Sequence, residues 1–160
     1  MRQAYQASYS FTRPSDTTAY ASGDVVANST TAASVTPMSF PVPPTGVSLQ
    51  RVRVVLSDAT PTNAKFKLHL YASSPTLTTA HGDNAAWLTT SADYIGSSAE
   101  IDCSGQTFQD KVTGTVAFAT NPITITPISG TAIYGVLTAT AAYTPTSAEV
   151  ITVTLMGETL

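Results

Sequence analysis

His81 and Asp83 are the first candidates for chemistry, because they stand two positions apart on either side of Gly82. An imidazole and a carboxylate at this spacing can form an acid/base pair or supply two ligands to a metal ion. Turns that contain His and Asp without any such role are far commoner. We therefore interpret His81 and Asp83 as turn residues, and we predict no catalytic residue, no metal site and no cofactor.

The remaining reactive residues give no better site. His69 alternates with Lys65 and Lys67, so we expect a solvated or interfacial histidine, and catalysis would require a nucleophile that the sequence does not identify. The single Cys103 permits no intrachain disulfide and is interpreted as a small buried or half-buried residue. The chain contains no serine-hydrolase elbow, zinc-protease, phosphate-loop, dinucleotide-binding or paired-cysteine motif. We predict that it is not an enzyme.

The charge balance excludes several classes of partner. The 160 residues include seven Lys and Arg against ten Asp and Glu, a net charge of −3, with no polybasic run, so binding to nucleic-acid phosphates has little electrostatic support. No stretch is long and apolar enough for a membrane span, and the first residues lack the apolar run of a signal peptide. We expect no nucleic acid, no membrane and no classical export.

Strands must position these residues, because Thr, Val, Ile and Tyr are abundant while Lys and Glu, which build surface helices, are scarce. Alternation of apolar and polar residues predicts strands at 51–57 and 65–71. Further strands are expected at about 93–101, 112–119, 123–127, 132–143 and 149–156. Residues 72–92 read as a loop with one helical turn near 85–88.

This pattern predicts one all-β domain, an antiparallel β-sandwich or jelly roll with an extended N-terminal arm. Residues 1–47 differ in composition from the rest of the chain and end in a proline-rich stretch. This indicates either an extended arm or edge strands packed on the core. Residues 48–160 form the β-sandwich itself.

Basic residues concentrate on the polar phase of the first two predicted strands. They are Arg51, Arg53, Lys65, Lys67 and His69. The connection at 58–63 is too long for a tight hairpin, so the two strands either pair or cross between sheets. Paired, they would present a basic stripe for an acidic partner, which speeds association and fixes orientation. The alternative is that these residues are the charge that solvated strand faces need.

Aromatic residues offer a second binding option. An exposed platform could stack on sugars or on a protein neighbour, whereas most such residues in a sandwich cover the ends of the core. The candidates are Tyr5, Tyr9, Tyr20, Tyr71, Trp87, Tyr94, Tyr134 and Tyr143.

The opening of the chain contains SFTRPSDTTAYASGDVVAN at 10–28 and SVTPMSF at 34–40. These segments resemble the opening of a group of small tailed-bacteriophage virion proteins. The resemblance continues in order through YASSP at 71–75, Gly82-Asp83, YIG at 94–96, IYGVL at 133–137 and YTP at 143–145. It covers most of the chain as a pattern of strands and turns, without one diagnostic motif.

The resemblance implies a head decoration (cement) protein, often a trimer, which is made in the host cytoplasm and sits on the capsid surface against the major capsid protein. In that role, Arg51, Arg53, Lys65, Lys67 and His69 would contact the partner. A carbohydrate- or receptor-binding module of a phage tail or fibre, in which Trp87 meets a glycan, is the alternative. A cell-wall enzyme is a third interpretation, with only His81 and Asp83 to carry it.

Overall fold

The regular structure of the described part of the chain is almost entirely β-strand, as the alternation of apolar and polar residues predicts. The structure is a computed structural model and describes residues 2–77, 81–87, 93–104, 107–108, 111–117, 123–125 and 130–160. The strands are β1 Ala4–Thr12, β2 Val25–Val26, β3 Met38–Pro41, β4 Val47–Leu56, β5 Lys65–Tyr71, β6 Tyr94–Ser97, β7 Ile101–Asp102, β8 Thr107–Phe108, β9 Lys111–Ala117, β10 Ile123–Ile125, β11 Ala132–Ala139 and β12 Val150–Thr159. One 3₁₀ turn spans Ala32–Ser34.

Two antiparallel sheets face each other. The first sheet has the order β1-β12-β4-β9-β8, and β10 extends the same edge of β4 that carries β9. The second sheet has the order β2-β11-β5-β6, with β3 beside β2 along β11 and β7 beside β6 along β5. Each sheet is four strands wide, and β8 adds a short fifth strand at the edge of the first sheet. The chain crosses repeatedly between the two sheets. This is the jelly-roll arrangement, and the predicted fold class is confirmed.

The core lies between the sheets and is supplied by the apolar phase of each strand. Val52, Val54 and Leu56 of β4 are fully buried, as are Phe66 and Leu68 of β5. Burying an aliphatic side chain of this size contributes about 1.5–3 kcal/mol. The two strands therefore occupy opposite layers with their apolar faces turned towards each other.

The N-terminal segment forms edge strands. β1 pairs with β12 along its whole length, and β2 and β3 pair with β11. Tyr5 of β1 donates a 2.8 Å hydrogen bond to the Pro41 carbonyl at the end of β3, which ties the two sheets together on this side. Three strands of the segment 2–47 thus pair with strands of the two sheets.

Several predicted element bounds change. The expected strand at 93–101 is divided into β6 and β7, and the last strand extends to Thr159. The expected helical turn near 85–88 is wrong for 85–87, because Ala86 forms an isolated antiparallel bridge with Asp24. Position 88 lies outside the described residues, as do 118–119 and 126–127 at the ends of two other predicted strands.

Candidate interaction surfaces

The basic residues lie on two opposite surfaces. Arg51 and Arg53 belong to β4 in the first sheet, whereas Lys65, Lys67 and His69 belong to β5 in the second. The connection at 58–63 crosses between sheets, so the expected common basic stripe is wrong. Because β4 and β5 bury their apolar faces in the same core, their polar faces must point in opposite directions.

The outer surface of the first sheet, here called the hydroxyl face, combines arginine with serine and threonine. Ser8 of β1 and Thr154 of β12 are hydrogen bonded across the strands at 2.9 Å, and Thr154 is the register partner of Arg53 on β4. Ser10 and Thr152 form a second such bond of 2.9 Å. The row of Ser8, Thr154 and Arg53 thus crosses three strands, with Thr154 itself fully buried, and the row of Ser10 and Thr152 crosses two.

Arg51 and Arg53 keep their charge available on the hydroxyl face. Arg51 is exposed and Arg53 is half-buried. Neither forms an ion pair with any acidic residue in the described part of the chain. The Nε of Arg53 is buried, so the donors left for an external carboxylate or phosphate are the guanidinium of Arg51 and the terminal guanidinium nitrogens of Arg53. A planar guanidinium can bind such a group through two hydrogen bonds.

Lys65, in contrast, is already neutralised on the opposite face. Its ammonium lies 3.2 Å from Asp102 and 3.5 Å from Glu100. These contacts raise the pKa of Lys65, with the Asp102 hydrogen bond as the largest cause. The pKa of Asp102 is lowered, mainly by the backbone N–H of Ser104. This group is solvent-exposed, and such pairs contribute little stability.

His69 is uncharged at neutral pH. Its ring nitrogens lie 3.3 Å from the Tyr94 hydroxyl and 3.2 Å from the Thr138 hydroxyl. Burial lowers the pKa of His69 to about 4, and the nearby charge of Lys67 acts in the same direction. His69 is half-buried, so it adds no positive charge to the second sheet above that pH.

Trp87 belongs to an aromatic cluster over the second sheet. The Tyr71 ring meets Trp87 edge to face, with 6.1 Å between centroids, and lies 5.3 Å from Tyr94. Tyr134 is the register partner of Tyr71 on β11. Tyr71 is fully buried beneath the group, whereas Tyr94 is 40% exposed. The remaining tyrosines are placed elsewhere: Tyr5, Tyr20 and Tyr143 are in the core, and Tyr9 packs against it.

Asp83 is bound within the fold. Its carboxylate accepts hydrogen bonds of 2.7 Å from the Arg13 guanidinium, the Tyr20 hydroxyl and the backbone N–H of Ala27. Neither the Arg13 nor the Asp83 side chain is exposed. His81 instead contacts Trp87, with 4.8 Å between ring centroids. The two residues therefore do not form an acid/base pair, and Asp83 anchors the 81–87 loop.

A second buried acid lies close to this anchor. Tyr143 stacks on Tyr20 with 6.1 Å between centroids and donates a hydrogen bond to Glu149. Burial raises the pKa of Glu149, and the Tyr143 hydrogen bond only partly offsets this effect. The backbone N–H of Arg13 donates to the Glu149 carbonyl at 2.9 Å, which joins both acids to one buried polar layer.

Sequence reasoning missed this buried layer. Arg13 and Asp83 are 70 positions apart and share no motif, so no spacing rule could relate them. The one signal in the sequence was its small number of charged residues. In such a chain, each charged residue should be considered for a specific structural role. Within the described residues, no three His, Cys, Asp or Glu side chains lie close enough to hold a metal ion. In the same residues, no helix is long and apolar enough to cross a membrane.

No family model matches the chain, and no curated protein matches it. Among solved structures, an Israeli acute paralysis virus particle heated to 63 degrees is similar at 14% identity and a TM-score of 0.29, covering 98% of this chain and 71% of that chain. The native Kashmir bee virus virion is similar at acidic pH (14% identity, TM-score 0.26) and at neutral pH (13%, 0.27). These two alignments cover 97% of this chain and 71% and 70% of the viral chains. Because these TM-scores are below 0.5, the jelly-roll assignment rests on the strand order.

Proposed function

We propose that this chain is a non-enzymatic structural protein of a phage virion, which binds the outer surface of the capsid and stabilises it. The observation that carries the proposal is the hydroxyl face, where Arg51 and Arg53 lie on a central strand and form no ion pair with any acid that the structure describes. The resemblance of residues 10–28 and 34–40 to phage virion proteins points to the same role. The major capsid protein is the proposed partner.

Stabilisation of this kind follows from mass action. A protein that binds the assembled shell better than its separate subunits shifts the equilibrium towards the shell. Many copies, each with a modest affinity, then act on one particle. Arginine-mediated attachment would weaken as salt rises, because exposed charges are screened over a distance of about 8–10 Å at ordinary ionic strength.

Co-sedimentation with undecorated heads tests this function. We expect the purified chain to pellet with the heads and to saturate at a copy number compatible with capsid symmetry. The double variant Arg51→Glu/Arg53→Glu should abolish pelleting at moderate salt. Absence of binding by the wild-type chain would overturn the proposal.

A matched variant on the opposite face separates site from overall charge. Lys65→Glu/Lys67→Glu changes the net charge by the same −4, from −3 to −7, but alters the second sheet. We expect it to bind heads like the wild type. If both double variants lose binding equally, the hydroxyl face is not the docking surface.

A glycan-binding role is the second candidate, and the aromatic cluster favours it. Trp87, Tyr94 and Tyr134 lie over one face, where partly exposed rings could stack on a sugar. Trp87 is the only tryptophan, so its fluorescence reports on this surface alone. A saturable change on adding host polysaccharide would support a glycan-binding module. No change across a broad glycan panel would exclude it.

A further inference from the structure

Among the strands that the structure describes, β1 is a long edge strand without the usual protection against pairing. It spans nine residues, AYQASYSFT, with no charge and no proline. Its register with β12 is continuous from Ala4 to Thr12, without a bulge. Exposed edges of soluble proteins are usually shortened, bulged or marked with Lys or Pro, because their free backbone groups otherwise pair with another strand.

The other sheet edges in the described part of the chain are short or interrupted. β2, β3, β6 and β7 contain two to four residues each. On the far side of the first sheet, β9 includes Gly114 and is covered at its start by β8. The long uncharged edge of β1 is therefore a local feature that calls for a specific explanation.

The hydrogen bonds at its two ends show which backbone groups of β1 face β12 and which face away from it. Thr159 donates to the Gln3 carbonyl at 2.8 Å, and Arg13 donates to the Glu149 carbonyl at 2.9 Å. Backbone groups alternate in direction along an antiparallel strand, so the odd-numbered residues face β12. The N–H and C=O groups of the even-numbered residues, from Ala4 to Thr12, point away from the sheet.

We propose that β1 pairs with β1 of a second copy, antiparallel about a twofold axis at Ser8. This register overlaps the whole strand and places the outward-facing residues opposite one another: Ser8 meets Ser8, Gln6 meets Ser10, and Ala4 meets Thr12. The two pairs away from the axis occur twice by symmetry, so the register contains five hydrogen-bonded pairs. Each pair exchanges two backbone hydrogen bonds, which gives about ten new bonds. The first sheets of the two copies become one continuous sheet.

The side chains of β1 suit a second copy of the same strand. Because the strand is uncharged, no like charges are opposed when it meets itself. On the inner side, half-buried Phe11 of one copy comes beside Tyr5 of the other, which covers apolar surface left open at this edge. A small apolar cleft of about 20 Å³ adjoins Phe11, lined also by Val26, Pro37 and Met38.

This interface does not depend on capsid binding. It relates two copies by an isologous contact, whereas the resemblance to decoration proteins implies a trimer. Sedimentation velocity of the isolated chain across a dilution series distinguishes the two. We expect a monomer–dimer equilibrium, and a monomer at every concentration or a trimer would overturn the proposal.

Ser8→Pro tests the edge directly. The Ser8 N–H faces outwards, so the substitution leaves the backbone hydrogen bonds between β1 and β12 intact and removes only the side-chain bond from Ser8 to Thr154. The proline ring then blocks an added strand. We expect a folded monomer, with circular dichroism and thermal unfolding checking the fold. Ser8→Lys, which opposes two ammonium groups at the axis, should also give a monomer, whereas Gln50→Lys on β4 should stay dimeric. A dimeric Ser8→Lys variant would contradict the pairing.

Cysteine cross-linking tests the register. Opposed residues in a hydrogen-bonded antiparallel pair have Cα atoms about 5.5 Å apart, within disulfide range. Ser8→Cys should therefore give a covalent dimer on mild oxidation. Ser10→Cys should not, because it faces Gln6, and wild type should not, because Cys103 is buried. Cross-linking through Ser10→Cys but not Ser8→Cys would overturn the proposed axis.

Discussion

The Arg13 guanidinium donates a 2.7 Å hydrogen bond to the Asp83 carboxylate, and both side chains are sealed from solvent. The contact fixes the 81–87 loop to the segment that follows β1, on one side of the sandwich. Tyr20 and the Ala27 N–H complete the coordination of the carboxylate. The carboxylate is well satisfied, whereas the Arg13 Nη1 is buried without a hydrogen-bond partner among the described residues. Both charges have lost their hydration to form this contact, so the position that it imposes on the loop explains it better than any gain in stability.

Asp83→Ala should destabilise the protein by about 3–5 kcal/mol, because it leaves the Arg13 charge buried without its closest partner. Urea unfolding followed by circular dichroism measures this change. Asp16→Ala is the matched control. Asp16 lies 3.7 Å from the same guanidinium but is partly exposed, so its loss should cost about 1 kcal/mol or less. Equal losses for both variants would show that Asp83 has no special role.

Gly157→Ala should lower the free energy of unfolding by about 1–3 kcal/mol, the usual cost of forcing atoms into a packed site. A Cβ at Gly157 would lie 2.0 Å from the Ser48 carbonyl oxygen, where the register of β12 against β4 shifts. Gly130→Ala is the control, since the nearest atom to its Cβ is 3.7 Å away. Thermal unfolding of both variants measures the difference. A Gly157→Ala variant as stable as the control would contradict the close approach.

The alternation in β4 and β5 was sufficient to predict both strands and the faces that they bury. Val52 and Val54 against Arg51 and Arg53 form a two-residue period that only an extended strand satisfies. The period specifies which face is buried but not which strand lies alongside. The predicted basic stripe was wrong for that reason, since pairing within a sheet and crossing between sheets bury the same residues.

β1 and the buried polar layer were harder to predict. The inward residues of β1 are mainly aromatic and its outward ones are small or polar, so its period fits a strand but does not show that this strand pairs with β12 at the edge of a sheet. The buried ion pair depends on a contact between distant loops, which composition cannot reveal. Both features follow from the tertiary arrangement and not from local pattern.

Glu149→Gln should remove a component of stability that falls as pH rises. The pKa of Glu149 is raised above its usual 4.5 by burial, so the folded state binds this proton more tightly than the unfolded state. Its contribution is fully present below pH 4.5 and is lost as pH rises through the raised pKa. Urea unfolding at several pH values should show wild type losing stability relative to Glu149→Gln across this range. A constant difference between the two would contradict the raised pKa.

His69→Gln should reveal the opposite pH dependence, a contribution to stability that is lost as pH falls. The pKa of His69 is lowered from 6.5 to about 4, mainly by burial, so the unfolded state binds the proton first. Its contribution is present above pH 6.5 and is lost as pH falls towards 4. Wild type should therefore lose stability relative to His69→Gln on acidification, and NMR titration of the ring should give a midpoint near 4. A His69 midpoint near 6.5 would show that the ring is hydrated and that its hydrogen bonds to Tyr94 and Thr138 do not persist in solution.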